Sequence, residues 1–142
     1  MAVSDSDLEH IRRAFLNFND RYDMMRGGGF ASWYEEFYVA DGVIEHVDNF
    51  PTPGRYVGLA GYTEYFEQSY GSYRDVAWRI DGIEAVGDRV LALVRVSGKP
   101  QDEDVKLEID LGITYEMRDG KIGHARVYVG HARARDAARS GG

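Results

Sequence analysis

The chain has 142 residues, of which 44% are hydrophobic and 29% are charged, and it contains no cysteine. This length suffices for one buried core, and the lack of cysteine excludes disulfides, zinc ribbons and thiol nucleophiles. A formal net charge of −7 opposes nucleic-acid binding, and no apolar stretch approaches the roughly 20 residues of a membrane span. The first residues lack the basic and apolar regions of a secretory signal, so we expect a cytoplasmic protein.

The first half of the sequence is dominated by helical patterns. Residues 4–26 begin with Ser4-Asp5-Ser6-Asp7, which are good N-cap residues, and continue with apolar residues three and four positions apart, which predicts an amphipathic helix. The triple glycine 27–29 ends that helix, because Gly-rich turns interrupt helical periodicity. A second short helix is expected within residues 33–42, and a third within residues 58–70.

Strand patterns occupy the rest of the chain. Residues 43–48 predict a short strand in which Ile44 and His46 share one face, and Asp119-Gly120 predicts a hairpin turn. From Val76 the apolar residues alternate with polar ones, which predicts four long antiparallel strands within residues 76–80, 90–96, 105–117 and 122–129. With no repeat or linker, residues 1–142 are expected to form a single α+β domain with three N-terminal helices packed on a strongly curved antiparallel sheet.

The two faces of the predicted sheet differ in polarity. Along residues 105–117 the odd positions are apolar and the even positions are mostly polar. We expect the odd face to meet the helices and the even face to meet solvent or a second subunit. The one basic cluster, at His131, Arg133, Arg135 and Arg139, is interpreted as a solvated tail.

Three segments carry a resemblance to a known family: residues 38–46 (YVADGVIEH), residues 56–62 (YVGLAGY) and residues 117–122 (MRDGKI) before a strand that ends in Tyr128. With the order of elements, they resemble the nuclear transport factor 2-like superfamily, in its SnoaL-like branch of polyketide cyclase and ketosteroid isomerase relatives. The resemblance spans roughly residues 8–138. It implies a cone-shaped, cystatin-like roll, a pocket between helices and sheet, a homodimer through the sheet, and no cofactor.

The resemblance also implies functional breadth, since the superfamily contains isomerases, cyclases, hydrolases, dehydratases and non-catalytic binding domains. Compared with ketosteroid isomerases, the helix tyrosine that holds the oxyanion falls at Tyr22 and the strand general base at His46. The protonated aspartate falls at Gly112 or Ile113, and neither side chain can donate a hydrogen bond. The two catalytic aspartates of the limonene-epoxide-hydrolase relatives have no counterpart in this sequence. The catalytic histidine that scytalone-type dehydratases carry on a later strand has no counterpart either.

The candidate catalytic residues are therefore His46 as acid and base, Tyr22 as hydrogen-bond donor to a substrate carbonyl, and Asp48 as a carboxylate that orients His46 or acts alone. Each has a structural alternative: a core histidine, a core tyrosine and a turn-forming carboxylate. Aromatic residues make up 13% of the chain, and those on the helices and strands are candidates to line a pocket. The candidate pocket residues are Trp33, Phe37, Tyr62, Phe66, Arg95 and Tyr115. Arg95 interrupts an apolar strand, which is explained equally well by an anion-binding group in the cavity and by an outward arginine on a dimer face.

Two functional hypotheses follow. The first is a cofactor-free enzyme that transfers a proton on a small hydrophobic, carbonyl-bearing substrate. The second is a non-catalytic module that binds a ligand in the same pocket or assembles through the sheet. His124 and Arg126 are interpreted as surface or interface residues. The four histidines are dispersed along the sequence, so no metal site is predicted from their spacing.

Overall fold

The computed structural model describes residues 3–47 and 54–140, and in these residues the chain forms four helices and a six-stranded sheet. The helices are α1 (Asp5–Gly28), α2 (Ala31–Phe37), α3 (Gly58–Tyr70) and α4 (His131–Arg139). The strands are β1 (Tyr38–His46), β2 (Gly54–Val57), β3 (Tyr73–Val86), β4 (Arg89–Pro100), β5 (Leu107–Arg118) and β6 (Lys121–Val129). Within the described residues, no helix is both long enough and apolar enough to cross a membrane.

Both ends of α1 follow from local chemistry. The Ser4 hydroxyl accepts a hydrogen bond from the Asp7 N–H (3.1 Å), and the Asp7 carboxylate accepts one from the Ser4 N–H (3.2 Å), which is a capping box. At the other end, Gly29 has φ +92° and its N–H donates to the Met25 carbonyl at 2.7 Å. The predicted start and the glycine stop of this helix are therefore confirmed.

The strands are ordered β2-β1-β6-β5-β4-β3. The hairpin predicted at Asp119-Gly120 is confirmed, since both residues have the positive φ that a type I′ turn requires (+55° and +78°). The α+β fold class is confirmed, but the sheet is mixed rather than purely antiparallel, because β1 pairs parallel to β6. Residues more than eighty positions apart make that pairing, and no local pattern indicates its direction.

The inner face of the sheet packs against the first three helices as predicted. Ile113 and Tyr115 of β5 belong to the main hydrophobic cluster together with Phe18 of α1 and Phe66 of α3. The side chain of Asn19 also joins α1 to β3, because its amide donates to the Trp78 carbonyl and its oxygen accepts from the Trp78 N–H, both at 2.8 Å. These contacts fix the helices over the sheet and so define the space beneath them.

Part of the outer face of the sheet is covered by a helix of the same chain, whereas the sequence pattern predicted that this face would meet solvent or a second subunit. Residues 111–115 of β5 are buried on both faces because α4 lies across the outer side. Ala134 and Ala138 of α4 are buried against the sheet, while Arg135 is exposed. The C-terminal basic segment is therefore a packed helix and not a solvated tail. The homodimer through the sheet stays a prediction, and a second subunit on this face would meet α4.

Candidate functional site

A cavity of about 330 Å³ opens between the C-terminal end of α3 and strands β3, β4 and β5. Its walls are mainly aliphatic and aromatic, with a few polar groups among them. The lining residues are His46, Ser69, Tyr70, Tyr73, Val76, Val96, Ser97, Gly98, Leu107, Glu108, Ile109 and Leu111. A volume of this size lies at the lower end of the range for small-molecule pockets.

His46 is the last residue of β1 and lies between two neighbouring strands. It pairs with Gly54 of β2 on one side and with Val127 of β6 on the other, and the N–H of Val47 donates to the Val127 carbonyl at 3.0 Å. These pairings hold the backbone of β1 at the point where the imidazole enters the cavity lining. The residue is only 3% exposed, and its ring centroid lies 6.2 Å from that of Tyr65. His46 thus lies on the inward face that the strand pattern predicted.

Burial gives His46 a distinct protonation behaviour. Removal from water disfavours the imidazolium ion, so the pKa of His46 lies below its usual value of 6.5. At neutral pH the ring is therefore neutral and can accept a proton. A neutral imidazole in an apolar cavity has the properties of a general base.

The same pKa shift predicts how stability depends on pH. Because the folded state resists protonation of His46, the unfolded chain binds more protons as the pH falls below about 6.5, and the free energy of unfolding decreases. The slope from one such group cannot exceed about 1.4 kcal/mol per pH unit. We expect urea titrations at pH values from 7.5 down to 5 to show a smaller decrease in the free energy of unfolding for His46→Gln than for the wild type. An equal decrease in His46→Gln and in the wild type would contradict the assignment to His46.

The end of α3 supplies two polar groups that the sequence analysis did not select, Ser69 and Tyr70. The hydroxyl oxygens of Tyr70 and Tyr65 are 3.5 Å apart, and burial raises the pKa of Tyr70 well above its usual value. Tyr70 therefore keeps its proton and can donate a hydrogen bond. The signal was present in the sequence, since Tyr70 lies four residues after Phe66 on the apolar stripe of α3.

Of the other two catalytic candidates, only Tyr22 lies within the described residues. Tyr22 is a buried core residue whose ring lies 6.0 Å from Phe18 and 6.3 Å from Phe66, and it does not line the 330 Å³ cavity. Asp48 lies outside the described residues. The role of Tyr22 as a donor to substrate stays a prediction; of the two tyrosines, Tyr70 is the one that lines the cavity with His46.

None of the six candidate pocket residues lines this 330 Å³ cavity, and their role in a substrate pocket stays a prediction. Trp33, Tyr62 and Tyr115 instead border a separate interior cavity of about 30 Å³. Phe37 and Phe66 are buried in the core, where the rings pack on their neighbours. Periodicity correctly placed these aromatic rings on the inward faces. The helices approach the sheet closely enough for the rings to fill the space at that end.

Arg95 lies on the outer side of β4, away from the cavity lining. Its guanidinium donates to Asp110 at 2.7 Å and to Glu108 at 3.0 Å, both on the adjacent strand β5. Arg95 also holds the pKa of Glu108 below its usual value, so this carboxylate is ionised at neutral pH. Glu108 itself lines the cavity. Arg95 therefore keeps a negative charge in the cavity wall, although Arg95 does not line the cavity.

Comparison with known proteins identifies the family. A model of the SnoaL-like domain matches residues 11–125 of the chain. The chain belongs to the SnoaL-like family. No curated protein matches it.

Solved structures show the same fold as this SnoaL-like chain. Bal32a from a soil-derived mobile gene cassette is 16% identical with a TM-score of 0.70, over 93% of this chain and 95% of that one. TerC, co-crystallised with polyporic acid, is 17% identical with a TM-score of 0.68, over 94% and 98%. A putative SnoaL-like polyketide cyclase from Jannaschia sp. CCS1 is 14% identical with a TM-score of 0.64, over 100% and 99%. At these identities the likeness establishes the fold alone.

In the described part of the SnoaL-like chain, one cluster of metal-ligating side chains occurs that histidine spacing did not reveal. Asp81, Asp110 and His131 each offer a ligand atom within 4.8 Å of the others. Arginines already hold both carboxylates, since Arg79 donates to Asp81 at 2.9 Å and Arg95 donates to Asp110 at 2.7 Å. Nε2 of His131 lies 2.9 Å from the Val94 carbonyl. These contacts make the cluster an ion-pair network that joins α4 to the sheet.

His124 and Arg126 lie on the outer face of the SnoaL-like sheet, as the sequence indicated. Nε2 of His124 is 3.0 Å from the carboxylate of Glu45, and Arg126 donates to Glu116 at 3.0 Å. The four side chains join β1, β5 and β6 in a partly buried network. Partly exposed pairs of this kind contribute little to stability individually.

Proposed function

We propose that this SnoaL-like chain binds a small, neutral, hydrophobic molecule in the 330 Å³ cavity and transfers a proton on it, in an isomerase- or cyclase-type reaction that needs no cofactor. The observation that carries the proposal is a buried imidazole with a lowered pKa in the wall of an apolar cavity. Such a base is available at neutral pH, and a carbonyl substrate offers an acidic proton next to its carbonyl carbon.

In the proposed reaction, His46 removes the proton and the carbonyl oxygen gains negative charge. A hydroxyl that keeps its proton can stabilise that charge by donating a hydrogen bond. Tyr70 lines the same cavity and meets this requirement. The imidazolium formed on His46 then returns the proton to another carbon of the substrate, which completes an isomerisation. In a ring closure, the enolate carbon adds to a second carbonyl carbon of the substrate, the π bond of that carbonyl becomes an alkoxide, and the alkoxide takes the proton from the imidazolium.

The charge of the cavity wall supports a neutral ligand. Among the lining residues that the structure describes there is no lysine or arginine, and Glu108 is held in its ionised form by Arg95. An anionic ligand would lose its hydration without gaining a cationic partner, which is unfavourable in an apolar site. The neighbour TerC was co-crystallised with polyporic acid, which supports a ligand-binding use of this fold.

A second candidate function, ligand binding without chemistry, is favoured by one observation. The position that carries the protonated aspartate in ketosteroid isomerases falls at Gly112 or Ile113. Gly112 faces Ala134 of α4 on the outer side of the sheet, and Ile113 packs in the core. Neither can assist Tyr70, so the arrangement offers fewer oxyanion donors than an isomerase has. Binding of a ligand with no exchange of its protons would favour this second function.

The cavity can be tested by closing its mouth. Leu107 lines the cavity and is 48% exposed, so Leu107→Trp should block entry with little effect on folding. Leu16 is also 48% exposed but lies on α1 outside the lining, and Leu16→Trp is the matched control. We expect 2-tetralone, a neutral bicyclic ketone, to shift the NMR signals of cavity residues saturably in the wild type and the control. In Leu107→Trp its affinity should fall at least about tenfold.

The anion 2-naphthoate, of similar size, tests the charge preference in the same titration. It should bind at least about tenfold more weakly than the ketone, since it finds no cation in the wall. Equal binding of 2-tetralone to wild type and Leu107→Trp would contradict the proposed cavity. Tighter binding of the anion would contradict the neutral ligand class.

A further inference from the structure

The interior cavity of about 30 Å³ is distinct from the large one and lies deeper in the core. Aromatic residues dominate its wall, and four of its lining side chains are tyrosines: Tyr38, Tyr62, Tyr65 and Tyr115. Each of them is 5% exposed or less. A hollow lined by phenols differs from an ordinary packing defect, because each ring carries a polar group that prefers a hydrogen-bond partner.

Three separate elements bring these tyrosines together. Tyr38 begins β1, Tyr62 and Tyr65 lie one turn apart on α3, and Tyr115 lies on β5. The ring centroids of Tyr38 and Tyr62 are 5.7 Å apart, and those of Tyr62 and Tyr65 are 6.0 Å apart. Besides burial, the proximity of Tyr38, Tyr62 and Tyr65 raises the pKa of Tyr115, which indicates that the hydroxyl ends of the four side chains converge.

The hydroxyls differ in the hydrogen bonds that the protein supplies. The Tyr65 hydroxyl lies 3.5 Å from that of Tyr70. Among the described residues, the structure gives no hydrogen bond to the hydroxyls of Tyr38, Tyr62 or Tyr115. A phenol buried without any partner destabilises a fold, so three such groups around one hollow require an explanation.

We propose that this inner cavity is a binding site for one ordered water molecule, which accepts and donates hydrogen bonds among the hydroxyls of the four tyrosines. A site of roughly 10–15 Å³ or more holds a water when two to four polar partners surround it, whereas a cavity with purely apolar walls stays dry. The inner cavity exceeds this volume and offers four phenols. Through Tyr65 the water is connected to Tyr70, whose side chain forms part of the wall of the large cavity.

Removal of single tyrosine hydroxyls tests the site, because a cavity that holds water and a dry cavity predict changes of opposite sign in the melting temperature. With water bound, Tyr115→Phe takes a partner from the water and should lower the melting temperature by about 3 °C. The calibrating variant is Tyr34→Phe, whose wild-type hydroxyl donates to the Gly42 carbonyl at 3.3 Å and whose loss should lower the melting temperature to a similar extent. With a dry cavity, Tyr115→Phe removes a buried unpartnered hydroxyl and should raise the melting temperature. A rise would therefore overturn the proposal.

A crystal structure of the wild type at a resolution that defines waters gives an independent answer. We expect density inside the inner cavity within hydrogen-bond distance of at least two of the four hydroxyls. In Tyr62→Phe the same density should weaken or move toward Tyr38 and Tyr115, because one partner is lost. An inner cavity without density in the wild type, or density beyond the reach of every hydroxyl, would overturn the proposal whatever the melting temperatures show.

Discussion

His46→Gln is expected to slow deuterium incorporation next to the carbonyl of 2-tetralone in D₂O by at least about 100-fold relative to the wild type. Glutamine approximates the size of the imidazole but cannot accept a proton, so it preserves the cavity and removes the base. The reaction is followed by NMR of the ketone, which reports proton transfer without requiring the natural substrate. Tyr70→Phe should also slow exchange, by about 100-fold if its hydroxyl donates to the developing oxyanion.

Two matched variants separate chemistry from folding. His124→Gln removes a histidine on the outer face of the sheet, and Tyr22→Phe removes a hydroxyl from a core ring that does not line the cavity. Both should leave exchange within about threefold of the wild type, since neither residue meets the ligand. Undiminished exchange in His46→Gln would dispose of the proposed base. If the ketone binds to the wild type and none of its protons exchange, the chain is a binding module.

Gly112→Val is expected to lower the free energy of unfolding by about 2–3 kcal/mol. A Cβ atom built on Gly112 would lie 2.0 Å from Cβ of Ala134, so a side chain at this position cannot coexist with α4 in its present place. The variant must move the helix or distort β5. Either change exposes the apolar surface that α4 covers, including Leu91 and Tyr128.

Gly82 provides the matched control for this substitution. It also lies within a strand, β3, but a Cβ atom there would have its nearest neighbour, Cδ1 of Leu93, at 4.0 Å. Gly82→Val should therefore change stability much less than Gly112→Val in the same urea titration. Equal stability of the two variants would show that α4 does not depend on the close approach at Gly112.

Local sequence patterns were sufficient for most elements of the fold. The capping box at Ser4 and Asp7 and the Asp119-Gly120 turn depend on a few neighbouring residues, so these local structures can be predicted without the rest of the chain. The inward direction of His46 was likewise readable, because alternation along a strand assigns each side chain to a face. Such features depend on backbone geometry that a short segment determines by itself.

The composition of the site depended on packing distances that no local pattern contains. Periodicity placed Trp33 and Tyr62 on inward faces, but it could not tell that the helices close on the sheet there and leave only about 30 Å³. The open end of the cone lies instead around Ser69 and Tyr70, where α3 ends. For Arg95 the sequence left an inward and an outward position open, and its acidic partners on the adjacent strand decide for the outward one.

By itself the sequence determined α1, α3, the four long strands, the α+β architecture and the inward face of His46, because these follow from hydrogen-bonding chemistry and apolar periodicity within short segments. Tertiary structure alone decided that β1 lies parallel to β6, that α4 covers the outer face at Gly112, and that Tyr70 rather than Tyr22 shares a cavity with His46. Those outcomes depend on contacts between residues far apart in the chain, where complementary shape decides which surfaces meet.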